Sequence, residues 1–241
     1  MTTPRLYIDA DLAEGMEIPA AEGQAHHIGT VLRRGLGDSV LLFNARDGEW
    51  EGRIATLRKD RASFAVGGRR RAPRPEPDLR LLMAAVKRDA MDWIVEKATE
   101  LGVSVIQPVF TRRTVMDRVN TQRLSLIARG AAEQCERLSV PVLREAAPLH
   151  AVLDAWDGTR LLVAAERADA PPLGIVARDL RLPLGWLVGP EGGFDRAELD
   201  DLTRRPFVSP AALGPRILRA ETAAVAGLSV LMALAGDWTG T

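Results

Sequence analysis

The sequence predicts an α/β protein in two parts: a small β-barrel, then a larger domain with helices on a mostly parallel sheet. Three observations carry this. Asp47-Gly48, a hairpin turn pair, sits between two strand-like runs in "SVLLFNARDGEWEGRIATL". Prolines at 73, 75 and 77 in "RAPRPEPD" suit neither a sheet nor a helix interior, because proline locks φ and has no N–H. Beyond them "LRLLMAAV", "RDAMDWIVEKATELG" and "VSVIQPVF" read strand, helix, strand, a parallel pair with a helical crossover. The expected division is a barrel over 1–72, a linker over 73–78 and an α/β domain over 79–241.

The elements follow in order. "GQAHHIGTVLRR" reads as a helix ending before Gly35. After the hairpin's first run, Trp50, Gly52, Ile54 and Leu57 alternate roughly with polar residues, and "ASFAV" (62–66) reads as a third strand. Past the linker, Met91, Ile94, Val95, Ala98 and Leu101 share one helical face, with Asp89 as the expected N-cap and Gly102 as the stop. A long helix is expected over 121–138, with Cys135 on its apolar face as a core residue. "RLLVAAE" (160–166) and "LPLGWLVG" (182–189) read as further buried strands. Asp195 and Glu198 have capping-box spacing ahead of another helix, with Phe194 at the staple position. The C-terminal "TAAVAGLSVLMALAG" is apolar nearly all round, so it is either deeply buried or part of a subunit interface.

The totals exclude several classes. Apolar residues at 46% and charged residues at 27% place the chain among soluble globular proteins. No run approaches the ~18–20 apolar residues of a membrane span. The first 15 residues carry acids and no apolar stretch, so they read as no signal peptide. One cysteine allows no intrachain disulfide, and the cytoplasm is the expected compartment. The histidines and acids show no metal-ligand spacing, so no metal is expected. Net charge is zero, yet residues 58–74 hold seven basic residues and one acid. That run is either a solvated face or a phosphate-binding patch.

The chemistry concentrates in two segments. "LVGPEGGF" (187–194) is a strand running into a glycine-rich turn before a helix. It matches neither the dinucleotide fingerprint nor the phosphate-binding loop with its lysine. Ligands of open parallel sheets bind at the carboxyl ends of strands, where this turn lies. "LGPRILRAETA" (213–223) repeats the logic: Gly-Pro, then Arg216, Arg219, Glu221 and Thr222 before a long helix. Glu221 suits a helix N-terminus, whereas Arg219 opposes the helix dipole. Arg219 is either one half of a salt-bridged helix start or a cation facing an electron-rich group.

Taken together, "LVGPEGGF", "LGPRILRAETA", "VEKATELGV", "AAEQCERLSVP" and "AHHIGTVLRRGLGD" resemble the RsmE-type enzymes, bacterial 16S rRNA uracil-N3 methyltransferases of the SPOUT superfamily. The resemblance spans nearly the whole chain in the expected order. It implies a C-terminal SPOUT domain with a trefoil-knotted, mostly parallel sheet, an N-terminal PUA-like RNA-binding barrel and a homodimer. It implies S-adenosylmethionine as cofactor and 16S rRNA, or the assembled small ribosomal subunit, as partner. The cofactor would lie against Leu187, Val188, Gly189, Pro190, Glu191, Gly192 and Gly193 of the first loop. From the second loop Leu213, Gly214, Ile217, Leu218, Thr222 and Ala223 would join them. Glu191 either bonds cofactor hydroxyls or orders its own loop. Arg219 is expected to stabilise the uracil anion or orient a base, and Glu221 to take the N3 proton or hold Arg219. Arg5, His27, Arg33 and Arg34, with Arg69, Arg70 and Arg71, are expected to meet RNA, mostly at phosphate.

Three rivals remain at this stage. A SPOUT enzyme could act on tRNA, at a base or a ribose 2′-OH. A relative could keep the fold and bind RNA without catalysis. A dehydrogenase-like nucleotide enzyme is disfavoured by the missing dinucleotide fingerprint.

Overall fold

The computed structural model describes residues 3–165 and 170–239, which form two compact units. One takes in Met1–Pro75 together with Ala132–Val140; the other takes in Glu76–Ala131 and Pro141–Thr241. The boundary between the units, between Pro75 and Glu76, falls inside the proline-rich stretch, but a short later segment, 132–140, returns to the first unit. The expected helix over 121–138 accounts for the difference: it stops at Gln134, because Glu136 turns left-handed at φ 63° and sends the chain off the helical path. Cys135 therefore lies just past the helix, half-buried, rather than in the core.

In the first unit, β1 (Arg5–Tyr7), β2 (Glu17–Pro19), β3 (Ser39–Asn44), β4 (Gly48–Leu57) and β5 (Ala62–Arg71) form one sheet in the order β1-β3-β4-β5-β2. Only the β1–β3 pair is parallel. The β3–β4 hairpin turns at the expected Asp47-Gly48, with Asp47 accepting from Leu12 N at 3.0 Å. Alternation delivers Val40, Leu42, Ile54, Phe64 and Val66 to one core with Leu6, Ile8 and Ile18. The helix expected at 23–34 is α1 (Gln24–His26), widened into a π-helical turn at His27–Val31.

The second unit carries a seven-stranded sheet. Its strands are β6 (Leu79–Ala84), β7 (Val105–Phe110), β8 (Val142–Leu143), β9 (Ala147–Pro148), β10 (Arg160–Ala164), β11 (Leu184–Val188) and β12 (Val208–Ala211). The order is β12-β10-β11-β6-β7-β8, with β9 also beside β7, and every pair is parallel. Glu166 of the strand expected over 160–166 lies outside the described residues.

Helices α2 (Arg88–Glu100), α3 (Thr121–Gln134), α4 (Leu149–Asp154), α5 (Leu173–Val176), α6 (Arg196–Arg204) and α7 (Ala220–Ala235) connect and cover the strands. Lys87, not Asp89, is the N-cap of α2, and Asp89 sits in the first turn. The capping box of α6 forms as expected: Asp195 accepts from Ala197 N, and Glu198 accepts from the Asp195 N–H.

Strand β11 shows how the faces divide. Leu187 joins Leu82, Leu161, Val163, Leu153 and Leu202 in one core cluster. Trp186 points the other way, fully buried, and its indole N–H donates to Ala223 O of α7 at 3.2 Å. Among the described residues no helix is long and apolar enough to cross a membrane.

Candidate functional site

The two Gly-Pro segments meet. The first follows β11 at its carboxyl end, and the second runs from β12 into α7. Between them lies a cleft with two lobes of about 350 and 410 Å³. Val188, Gly189, Pro190, Glu191, Gly192 and Gly193 wall one lobe. Leu213, Gly214, Pro215, Arg216 and Leu218 wall the other. Ala164, Ala165, Ile217 and Ala223 border both.

Local chemistry explains the loops. Gly193 N donates to Pro190 O at 2.8 Å, closing a tight turn with Glu191 and Gly192 at its tip. Gly193 has φ 67° and Gly214 has φ 100°, backbone that a side chain resists. Arg113 reaches the first turn from the loop after β7 and donates to Gly192 O at 2.9 Å. Its guanidinium also stands 3.8 Å from Asp195, whose partner Arg112 is at 3.3 Å. These contacts tie the glycine turn to the start of α6.

Glu198 braces the same corner. Burial pushes its carboxyl up, against the N–H groups of Arg112 and Asp195, which favour the charged form. The Arg112 N–H donates to Glu198 Oε1 at 3.2 Å, while Oε2 is buried without a partner.

Most of the expected cofactor residues thus stand round one cleft; Leu187 and Thr222 do not line it, and neither do the expected catalytic residues Arg219 and Glu221. Leu187 is fully buried in the core on the opposite face of β11, so its side chain is out of reach; strand alternation gives the cleft to Val188 instead. Arg219, Glu221 and Thr222 do not wall the cleft. Arg219 is the exposed N-cap of α7, and its side chain has no ion-pair partner among the described residues. Glu221 lies half-buried in the first turn, and Thr222 is exposed. Arg113, Ala164, Ala165, Phe194, Leu199, Ala211 and Ala212 line the cleft without having been expected. Alanine carries no chemical signal, and Arg113 lies 79 residues from the glycine it holds.

The expected RNA residues of the first unit divide as well. Arg5 is corrected outright. Its side chain is 6% exposed and Glu49's is 4% exposed, and the two pair at 2.7 Å. The Arg5 guanidinium also donates to the carbonyls of Ala132, Glu133 and Arg137, each at 3.0 Å. Arg5 therefore latches segment 132–140 onto its unit and is not available to RNA. Arg71 is similarly engaged, with Glu49 Oε2 at 3.1 Å and Glu136 O at 2.7 Å. Arg34 is half-buried. His27, Arg33, Arg69 and Arg70 are exposed, and Arg69 lies over the Trp50 ring at 5.8 Å. Among the described residues no cluster of three or more His, Cys, Asp or Glu could hold a metal.

Comparison with known proteins adds the following. The chain matches the family description "RNA methyltransferase domain" over residues 73–232 and "RNA methyltransferase PUA domain" over 21–66. It is 33% identical to the ribosomal RNA small subunit methyltransferase E of Rickettsia conorii, over 93% of each chain. It is 30% identical to the Bacillus subtilis protein of the same name, over 86% of each chain. A methyltransferase of Legionella pneumophila, solved with bound S-adenosylmethionine, superposes with a TM-score of 0.86 at 29% identity, covering 98% of this chain and 100% of that one. A ribosomal RNA small subunit methyltransferase E of Neisseria gonorrhoeae, also bound to S-adenosylmethionine, gives 0.87 at 28% identity with the same coverage.

Proposed function

This chain belongs to the RNA methyltransferase family of the ribosomal RNA small subunit methyltransferases E, and on that premise we propose that it methylates N3 of a uridine in 16S rRNA. It is an S-adenosylmethionine-dependent enzyme acting on small-subunit rRNA. The observation that carries the reading is the meeting of two Gly-Pro loops in one cleft at the carboxyl edge of a parallel sheet.

The cleft fits the cofactor. Alanine, glycine and proline make up about half of its walls, and such small residues let a ligand approach the backbone closely. A Cβ at Gly192 would make ordinary contact with Arg113 at 3.7 Å, so a valine there would act by taking space from the cleft rather than by straining the turn. Bound S-adenosylmethionine supplies a methyl group on an electron-poor sulfonium.

The chain's own residues do the rest. The two loops would hold the donor and so align it with the base, an alignment that supplies much of the rate. Uracil N3 becomes a nucleophile only when its proton leaves, and the charge then spreads to O2 and O4. Arg219 is exposed at the start of α7, and its side chain has no carboxylate partner among the described residues; it would stabilise that charge. Glu221, in the first turn of the same helix, is the candidate acceptor of the N3 proton.

The reading includes a homodimer working in the cytoplasm. Ile217, shared by both lobes of the cleft, is 65% exposed, and a second copy laid over it would close the site to water. RNA would dock on the first unit through His27, Arg33, Arg69 and Arg70.

The test is calorimetry with S-adenosylmethionine on wild type and Gly192→Val, followed by methylation of 16S rRNA, small subunits and tRNA. Wild type is expected to bind and to methylate only small-subunit rRNA, and Gly192→Val to lose binding. Arg219→Ala should keep cofactor binding and lose about 10²–10³ in kcat. Near-wild-type turnover by Arg219→Ala would remove its assigned role, and methylation of tRNA alone would remove the substrate.

A further inference from the structure

The second unit holds another cavity that the cofactor reading leaves unused. It measures about 660 Å³ and opens beside the carboxyl end of β6, between the start of α2, the 116–120 loop and the start of α3. Strand β6 pairs directly with β11, so this cavity and the cofactor cleft lie along the same edge of one sheet. One loop borders both: Arg113 walls the cofactor cleft and Met116 walls this cavity. Three residues span at most about 10 Å, so the two sites are near neighbours.

Its lining has a consistent chemistry. Met91 and Leu124 are buried and Met116 is half-buried, giving an apolar surface with polarisable sulfur that suits the face of a base. Arg123 is already neutralised by a two-pronged pair with Asp92. Arg88 and Arg118 are exposed and have no carboxylate partner among the described residues; the remaining acid, Asp117, is exposed too. Asn120 spends its side-chain oxygen on Arg123 N at 2.9 Å, at the start of α3. That fixes the amide orientation and leaves its NH₂ group as a donor for a base carbonyl.

We propose that this cavity is a subsite for the nucleotide next to the reacting uridine in single-stranded rRNA. The base would lie on Met91 and Met116, with Asn120 donating to a carbonyl on its edge. Arg88 and Arg118 would take the flanking phosphates. The proposal rests on the rRNA methyltransferase reading and adds a specificity pocket to it.

The experiment compares wild type with Arg88→Ala/Arg118→Ala and with Asn120→Asp, using small ribosomal subunits as the probe. Asn120→Asp keeps an acceptor for the helix start and replaces the donor by a carboxylate, which a base carbonyl repels. The double variant is expected to bind subunits at least tenfold more weakly. Its slope of log K against log salt should be shallower by about 1.4, the share of two phosphate contacts on a single strand. KM for subunits should rise with kcat at saturation kept, and S-adenosylmethionine affinity should not change. Asn120→Asp should raise KM with its melting point unchanged. An unchanged salt slope in the double variant overturns the proposal. So does lost cofactor affinity, which would make the cavity part of the cofactor site. So does altered self-association without altered RNA binding, which would make it a contact between copies. If wild type binds subunits and transfers no methyl group, the function reading fails, and the salt slope still decides the subsite.

Discussion

Gly227→Ala is a one-carbon change that the structure makes costly. A Cβ at Gly227 would stand 2.2 Å from Cε2 and 2.4 Å from Cζ2 of Trp186. The indole is fully buried and its N–H is bonded to Ala223 O, one turn earlier on the same helix. Neither partner can step aside without losing that bond. Three terms decide the outcome. Alanine gains about 1 kcal/mol of helix propensity over glycine. Overpacking a close-packed site costs about 1–3 kcal/mol. Straining the buried hydrogen bond costs about another 1 kcal/mol. The cost wins, with a net loss of about 2 kcal/mol, or about 4–8 °C in melting midpoint for a chain of this size. Because α7 carries Ala223 into the cleft wall, cofactor affinity should weaken in step. Tryptophan fluorescence melts and calorimetry with S-adenosylmethionine read the two effects. An unchanged or raised midpoint would refute the reasoning, because the propensity gain would then have outweighed a contact that does not resist.

Glu49→Ala should destabilise the first unit by about 3–5 kcal/mol, since it strands the Arg5 guanidinium in a buried site; limited proteolysis of segment 132–140 and a thermal melt would register it, and wild-type resistance would mean the latch is not needed. Glu198→Gln tests the raised carboxyl behind the glycine turn. A raised folded pKa gives stability that is complete below the ordinary glutamate value, about 4.3, and lost as pH rises through the folded value. The glutamine variant keeps an acceptor and never charges, so it should match wild type below about pH 4 and exceed it near neutrality in urea melts; a constant offset at every pH would contradict that.

What the sequence displayed depended on whether the determining contact was local. The hairpin at Asp47-Gly48, the Asp195–Glu198 capping box and the two Gly-Pro loops were all readable, because glycine, proline and capping residues act within a few positions. Strand β12 was not, since it has four residues, one of them Pro210, and sits at the sheet edge where proline is tolerated. Arg5 was misread for a related reason. An arginine near the N-terminus carries no local sign that it is buried; the sign is Glu49, 44 positions away, together with three carbonyls from a segment more than 120 positions away.

The same distinction separates the charges that hold the fold from those left for a ligand. Net charge is zero over the chain, so each arginine is in principle matched by an acid. The structure shows that the matching is uneven. Glu49 is contacted by Arg5, Arg70 and Arg71, and Asp92 is taken up by Arg123. Arg33, Arg88, Arg118 and Arg219 stand exposed without an ion pair among the described residues. A polyanion neutralises cations that the protein has not already neutralised, and releases counterions in doing so. Arginines without an acid are therefore the first candidates for rRNA, and only the folded chain shows which they are; Arg70, exposed but 3.9 Å from Glu49, is a weaker one.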